Sequence, residues 1–517
     1  MVGILRFKVK LLGFEAGKKR IIVIDDEPAK VMGIHALDRV IVRKGDRDIV
    51  AIVNIARYLP HDTIAVYDEV AKALDLRDGD EVEILPTERP ASIKYIRNRM
   101  NGVSLSYEEV YEIIKDIVEG RLSDIEIAAL VTALHLQGMN IEEAYYFSKA
   151  MVETGKTIEL DRYPILDKHS LGGVPGDKTT MLVVPIIASL GHTIPKTSSR
   201  AITSPAGTAD RVEVLCPVDL SVDEIKEVVS KTNGCMVWGG ALGLAPADDI
   251  IIRVEYPLSL DPFFIPSIMA KKKSVGATHV VLDIPTGRGT KVKTIGEAHL
   301  IARSFIEVGK RLGMKVNCAI TLGEEPVGYT MGPALEAWEA LNTLMGNWTP
   351  DLVDKATSVA GVLLEMVGVS NGKAVALEAL RSGKAEKKFR EIIEAQGGDP
   401  NVKPDDIPLG DKKILIRSEM KGPVLWINNS VLAEIAKLAG APKDKGAGVR
   451  LYVKIGDRVK AGDPLFEIYS ESEFKLDQAL KVLEEEMPFG IGRIEEMMLI
   501  DRIPTKREHR RPFILER

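Results

Sequence analysis

Cysteine is scarce in this chain: Cys216, Cys235 and Cys318 are the only three in 517 residues. Their spacings match neither a CxxC metal knuckle nor a disulfide framework, which excludes a disulfide-stapled secreted fold and suits a reducing cytoplasm. Positive charge is not in excess either. Lys and Arg number 69 against 75 Asp and Glu, a formal net charge of -6, so nothing marks the chain for nucleic acid or for an anionic membrane; any cationic patch must be local. Long apolar runs are missing. The longest, Met181 to Leu190, is broken by Pro185 and too short to span a bilayer, and Met1 to Lys10 alternates apolar and basic residues without a signal-peptide core. What is present is a 45% hydrophobic fraction over a length that predicts more than one domain.

Two polar loops carry the chemistry. The first, Asp167-Lys-His-Ser-Leu-Gly-Gly-Val-Pro-Gly-Asp-Lys-Thr-Thr180, leads into the apolar run. Gly172 and Gly173 let backbone approach a ligand closely, Lys168 adds charge, and Ser170, Thr179 and Thr180 add hydroxyl donors, a composition that cradles anions. It is not a Walker loop, because the four-residue gap before Gly-Lys-Thr is absent. The second, Lys196-Thr-Ser-Ser-Arg-Ala-Ile-Thr-Ser-Pro-Ala-Gly-Thr208, packs two cations and six hydroxyls into thirteen residues. There the Arg200 fork is expected to grip phosphate oxygens, with hydroxyls completing the shell.

The expected architecture is multidomain α/β. Residues 1–88 read as a small β-rich domain, with strands near 5–10, 20–24, 39–42, 49–53 and 81–85 and a helix over 70–76. Residues 89–162 switch to helical periodicity, with Ser123 and Glu126 forming a capping box and Met100, Met139 and Met151 as core packing. Strands and helices alternate over 163–345, which predicts a largely parallel α/β phosphate-binding domain with ligands at the carboxyl ends of its strands. Residues 346–517 form an α+β region. Within it, Gly448 to Tyr469 resembles half of a biotinyl or lipoyl hammerhead, but no lysine sits at a hairpin tip; Lys475 opens a helix instead. The basic tail Arg502 to Arg517 reads as a solvated run.

Asp-Lys-His-Ser-Leu-Gly-Gly-Val at 167–174, Gly239-Gly-Ala-Leu-Gly-Leu-Ala-Pro-Ala-Asp248 and Ser267-Ile-Met-Ala-Lys-Lys272 occur in the same order as the blocks of the thymidine and pyrimidine-nucleoside phosphorylases. The resemblance runs from about Arg89 onward, with Leu171 where that family has Thr. The second loop departs from the family's Ser-Gly-Arg-Gly-Leu-Gly-His-Thr-Gly-Gly-Thr. It loses glycines and the histidine, and gains hydroxyls at Ser199, Thr203 and Ser204. With the extra N-terminal domain, the chain is similar to the archaeal branch that cleaves nucleoside 5′-monophosphates.

That resemblance implies phosphorolysis of AMP to adenine and ribose 1,5-bisphosphate, feeding nucleotide breakdown into sugar phosphate metabolism, by a homodimer or higher homo-oligomer in the cytoplasm. Its partners would be a nucleoside monophosphate and inorganic phosphate, with no cofactor and no metal. It implies Asp261 as proton donor to the departing base; nucleotide contacts from Gly173, Ser199, Arg200, Ala201, Ile202, Thr203, Ser204, Thr208, Ser267 and Lys291; and contacts to the attacking phosphate from Lys168, Ser170 and Thr180. Arg253 and Lys271 match base contacts of the pyrimidine enzymes. It also implies that a segment near 240–272 returns to the helical domain. Read from the residues alone, Asp261-Pro262 is better explained as the cap of a helix running to Lys272. The alternatives are a thymidine or uridine phosphorylase, favoured by Lys168 and Lys271; a phosphoribosyltransferase, which would be expected to show an acidic magnesium site; and a nucleotide-binding module without turnover.

Overall fold

The computed structural model describes residues 5–87, 90–201 and 204–492. Near the N-terminus six strands close into a barrel in the order Leu5–Leu11, Thr63–Val66, Ile21–Asp25, Arg47–Ala56, Arg39–Lys44, Glu81–Pro86. Alternation does the work: along the first strand Phe7 and Val9 point into the core while Arg6, Lys8 and Lys10 stay outside. Closure leaves no unpaired edge. The strand Thr63–Val66 and the helix Asp26–Met32 were too short to leave a periodic signal in the sequence.

The helices Ser92–Met100, Tyr107–Glu119, Asp124–Gln137 and Ile141–Glu153 form a bundle. Three of them open on reciprocal capping boxes: Ser106 with Glu109, Ser123 with Glu126, and Asn140 with Glu143. Met151 is buried, but Met100 is 52% exposed and is corrected from core to surface. The bundle core holds Val110, Ile113, Leu130 and Phe147 together with Ile251, Phe263 and Ala270. Helices Pro246–Leu258 and Phe264–Ser274 therefore return to it, and Phe147 meets the edge of Phe263 at 5.0 Å between ring centroids.

Between these segments lies the parallel sheet. Strands Lys315–Leu322, His279–Thr286 and Leu166–Ser170 run parallel, as do Ile194–Ser198 and Gly234–Trp238. A parallel bridge from Ile165 to Thr193 joins the two groups. The apolar run becomes the buried helix Thr180–Ser189 against this sheet. Helices Pro350–Met366, Gly372–Arg381 and Lys384–Ala395 bring Leu352, Val359, Leu363 and Phe389 into the same core as Met181 and Ile187. The α/β unit thus extends well past residue 346, where the sequence suggested a boundary.

The last part is antiparallel, with Gly448–Leu451 and Lys412–Arg417 flanking Pro464–Ser470. Its helix Glu473–Glu485 starts directly after, and Lys475 is held by Asp444 at 2.6 Å rather than standing at a hairpin tip. The basic tail lies outside the described residues. Among the described residues no helix is long and apolar enough to cross a membrane.

Candidate active site

The first loop leaves the carboxyl end of Leu166–Ser170 with Gly172 at φ 79° and Gly173 at φ 88°, a region that favours glycine. A Cβ at Gly173 would lie 2.8 Å from the Lys291 N–H nitrogen, so only glycine lets this loop touch the 287–291 loop. Ser170 accepts the Gly172 N–H at 3.4 Å. Lys168 is buried, its ammonium 3.3 Å from Thr180 Oγ1, and it makes no ion pair among the described residues. Burial pushes that ammonium below its ordinary range, against the pull of Asp177 and Asp283. The structure thus brings Lys168 and Thr180 together, with Ser170 two residues further along the same strand.

Beneath them sits a network that no sequence signal revealed. Lys355, from the long helix after residue 350, reaches Asp177 at 3.3 Å and Asp283 at 3.0 Å, and Thr321 donates to Asp283 at 2.5 Å. Burial raises the Asp177 carboxyl, but Lys355 and Lys168 outweigh it and hold the group well below the carboxylate range. Lys355 came from a stretch with ordinary helical spacing, so only tertiary contact identifies it.

In the second loop the Arg200 fork is already engaged within the protein. Arg200 does not present its fork to solvent; it donates to Glu213 at 2.9 and 2.5 Å and to Asp210 at 3.3 Å, and stacks on Trp238 at 4.8 Å. Glu213 is bound in turn by Lys445 of the C-terminal part. The hydrogen bond from Arg200, with Lys445, lowers the Glu213 carboxyl to about 2. Asp210, Glu213 and, at 3.7 Å, Asp219 all pair with Arg200, which ties the loop to the helix that follows it. Asp210 completes the brace by accepting the N–H groups of Ala201 at 2.7 Å and Gly207 at 2.9 Å. Ser199 accepts the Ala209 N–H, Ser204 donates to Ala206, and Thr208 opens the helix Thr208–Val212. Ile202 and Thr203 lie outside the described residues.

On the base side, Asp261 occupies the turn between the two returning helices. It does not cap the second: the residue before that helix is Phe263, with no side-chain cap, so the helix-opening reading fails. Its carboxylate instead meets Lys291 at 2.9 Å, with both side chains about half exposed. Ser267 lies one turn into the same helix, and Lys271 is 3.5 Å from its hydroxyl. Lys271 is itself paired with buried Asp248 at 2.5 Å. Arg253 donates to Gly17 of the N-terminal barrel at 3.3 Å. Both are occupied, and neither is offered to a base in this state.

Buried Asp167 ties the two sides together by holding Lys272 at 2.7 Å and Lys196 at 3.5 Å. A cavity of about 250 Å³ opens between Gly173, Ser204 and Gly289 on one wall and Ser430 and Lys437 on the other. The second wall belongs to the C-terminal helix Asn429–Leu438, a contribution that the local sequence did not disclose.

This arrangement has counterparts. Residues 93–155 match a glycosyl transferase family helical bundle domain, 162–386 a glycosyl transferase family a/b domain, and 424–490 a pyrimidine nucleoside phosphorylase C-terminal domain. Fold and domain order therefore define a pentose-transferring enzyme built like the pyrimidine nucleoside phosphorylases. The structure is also similar to anthranilate phosphoribosyltransferase from Thermus thermophilus (TM-score 0.50, 21% identity, covering 58% of this chain and 98% of that one), a likeness of fold alone. Sequence relatives narrow the class. The chain is 58% identical to an AMP phosphorylase of Thermofilum pendens over 99% of its length and 100% of the relative's. It is 48% identical to one from Thermococcus kodakarensis, over 96% and 99%. The chain belongs to the AMP phosphorylase family.

Proposed function

We propose that this enzyme cleaves AMP with inorganic phosphate, giving adenine and ribose 1,5-bisphosphate. The observation that carries the phosphate half is Lys168: a buried ammonium beside two hydroxyl residues, lacking an anion of its own, is a place for one. Phosphate bound there attacks C1′ of the ribose. The C1′–N bond breaks, its electron pair leaves with the base, and Asp261 supplies the proton that the base nitrogen takes up. Charge on the developing sugar cation is offset by the phosphate itself. No step is assigned to a metal or cofactor.

Lys291 links binding to chemistry. The 5′-phosphate of the nucleotide competes with the Asp261 carboxylate for this lysine, which sits 2.9 Å from it. Gly173, Ser199, Ala201, Ser204, Thr208 and Ser267 would surround the nucleotide, with Arg200 holding the loop in shape. We also infer a homodimer or larger homo-oligomer in the cytoplasm. The three cysteines are free, and burial pushes each thiol up to about 12, a chemistry at home in a reducing compartment.

The deciding experiment measures free base released from AMP and from thymidine by purified enzyme, with and without inorganic phosphate. Phosphate-dependent adenine release with thymidine untouched is expected. Turnover of thymidine but not AMP would overturn the nucleotide assignment, and silence on both would favour binding without turnover.

A further inference from the structure

One buried acid near the base side has no part in the reaction just described. Glu255 lies on the helix Pro246–Leu258 and is 5% exposed. Its backbone carbonyl accepts the N–H of Leu260 at 3.2 Å, and its side chain accepts the N–H of Phe263, also at 3.2 Å. Those two donors bracket Asp261. The backbone bond closes the helix end, where Ser259 adopts the left-handed region at φ 53°, and the side-chain bond to Phe263 fixes the far shoulder of the segment that presents the acid. Side chains that remain buried with one hydrogen bond and no cation are costly unless neutral. Burial first, then the nearby charge of Asp261 and, less strongly, Asp248, push the Glu255 carboxyl up to about 8, with Lys291 opposing.

We propose that Glu255 is a positioning residue for phosphorolysis, its side chain holding the Phe263 N–H so that the turn before it presents the Asp261 carboxyl to the departing base. This rests on the reading of Asp261 as proton donor. While Glu255 is neutral, it places no buried charge beside the Asp261 carboxyl. When Glu255 ionises, a second charge is buried beside it, the turn is driven open, and the Asp261 proton is no longer aimed. Positioning errors of this kind fall on turnover more than on substrate binding, since the nucleotide is gripped by other residues.

The test compares Glu255→Gln and Glu255→Leu in the full-length enzyme, with kcat and KM for AMP measured from pH 6 to 9.5. Leucine removes the acceptor, and kcat should fall at least about tenfold with KM for AMP little changed. Glutamine keeps the acceptor but cannot ionise; it should recover most of that loss at neutral pH and should lack the alkaline decline that wild type shows near pH 8. Thermal melting of the glutamine variant gives a second reading. A raised carboxyl stabilises the fold below its unfolded value and loses that contribution as pH rises, so wild type should weaken relative to Glu255→Gln between about pH 5 and 8.

Superimposable pH profiles for wild type and Glu255→Gln would overturn the proposal, as would a change in melting with no change in the profile. Should the leucine variant not fold, the glutamine profile decides alone. Asp261→Asn separates the two ideas: if it keeps wild-type turnover, the donor assignment falls and this inference with it. If it is inactive while both Glu255 variants behave as wild type, only the positioning role is lost.

Discussion

The two sides of the cleft are built on opposite principles. On the phosphate side Asp177, Asp283 and Lys355 are locked in one largely buried network, and buried Lys168 stands next to it on Thr180. On the base side Asp261 and Lys291 form one pair, each roughly half exposed and free to change partners. Inorganic phosphate is the same small ion in every turnover, so a rigid cradle suits it. In the proposed reaction a nucleotide enters past the base side and its own phosphate takes Lys291 from the Asp261 carboxylate. Wet, weakly held charges permit that exchange; a buried pair would resist it.

This contrast can be broken from either side. Asp261→Asn should have the largest effect, lowering kcat by about 10²–10⁴ while leaving KM for phosphate near wild type; steady-state kinetics with phosphate varied would show it. Lys355→Met strips the cation from two buried carboxylates and should cost about 3–5 kcal/mol of stability, read as a drop in the urea midpoint, with a higher KM for phosphate in whatever protein still folds. Lys291→Met should raise KM for AMP about tenfold with the KM for phosphate unmoved, and the fold should keep its melting temperature because the pair is exposed. The smallest change is expected from Glu213→Gln, a rise in KM for AMP of about two- to fivefold as the Arg200 brace loosens. That variant also sharpens the comparison through pH. A depressed carboxyl contributes stability above its unfolded value, so wild type should lose this contribution as pH falls from about 4.5 toward 2, and the variant should not.

Much of this was legible in the chain because the signals were local. The capping box at Ser123, alternation in the barrel strands and the glycines at 172 and 173 each work over a few residues, and the folded protein uses them in place. The motif order at 167–174, 239–248 and 267–272 carried the family. What failed was long-range. Arg200 has the right chemistry for phosphate, yet the sequence does not show that Asp210, Glu213 and Asp219 fold beside it and claim its guanidinium first. Lys355 and Lys437 lie in unremarkable helices and matter only because of what they meet. Asp261 went the other way: composition favoured a helix cap, and the structure frees its carboxylate for Lys291.

The helical bundle described above is discontinuous, and this governs how the protein is made. Residues 92–153 emerge first, but their core has a gap until Ile251, Phe263 and Ala270 arrive about a hundred residues later. By then three strands of the parallel sheet have been synthesised between the two halves. The bundle therefore cannot finish folding as an independent N-terminal unit during synthesis; it must hold partly exposed apolar faces until the sheet has begun to form. Its contacts span long sequence separations, which slows the search for the native pairing. The turn that carries Asp261 belongs to the segment that completes the bundle, so it takes its place only after its first four helices have been made.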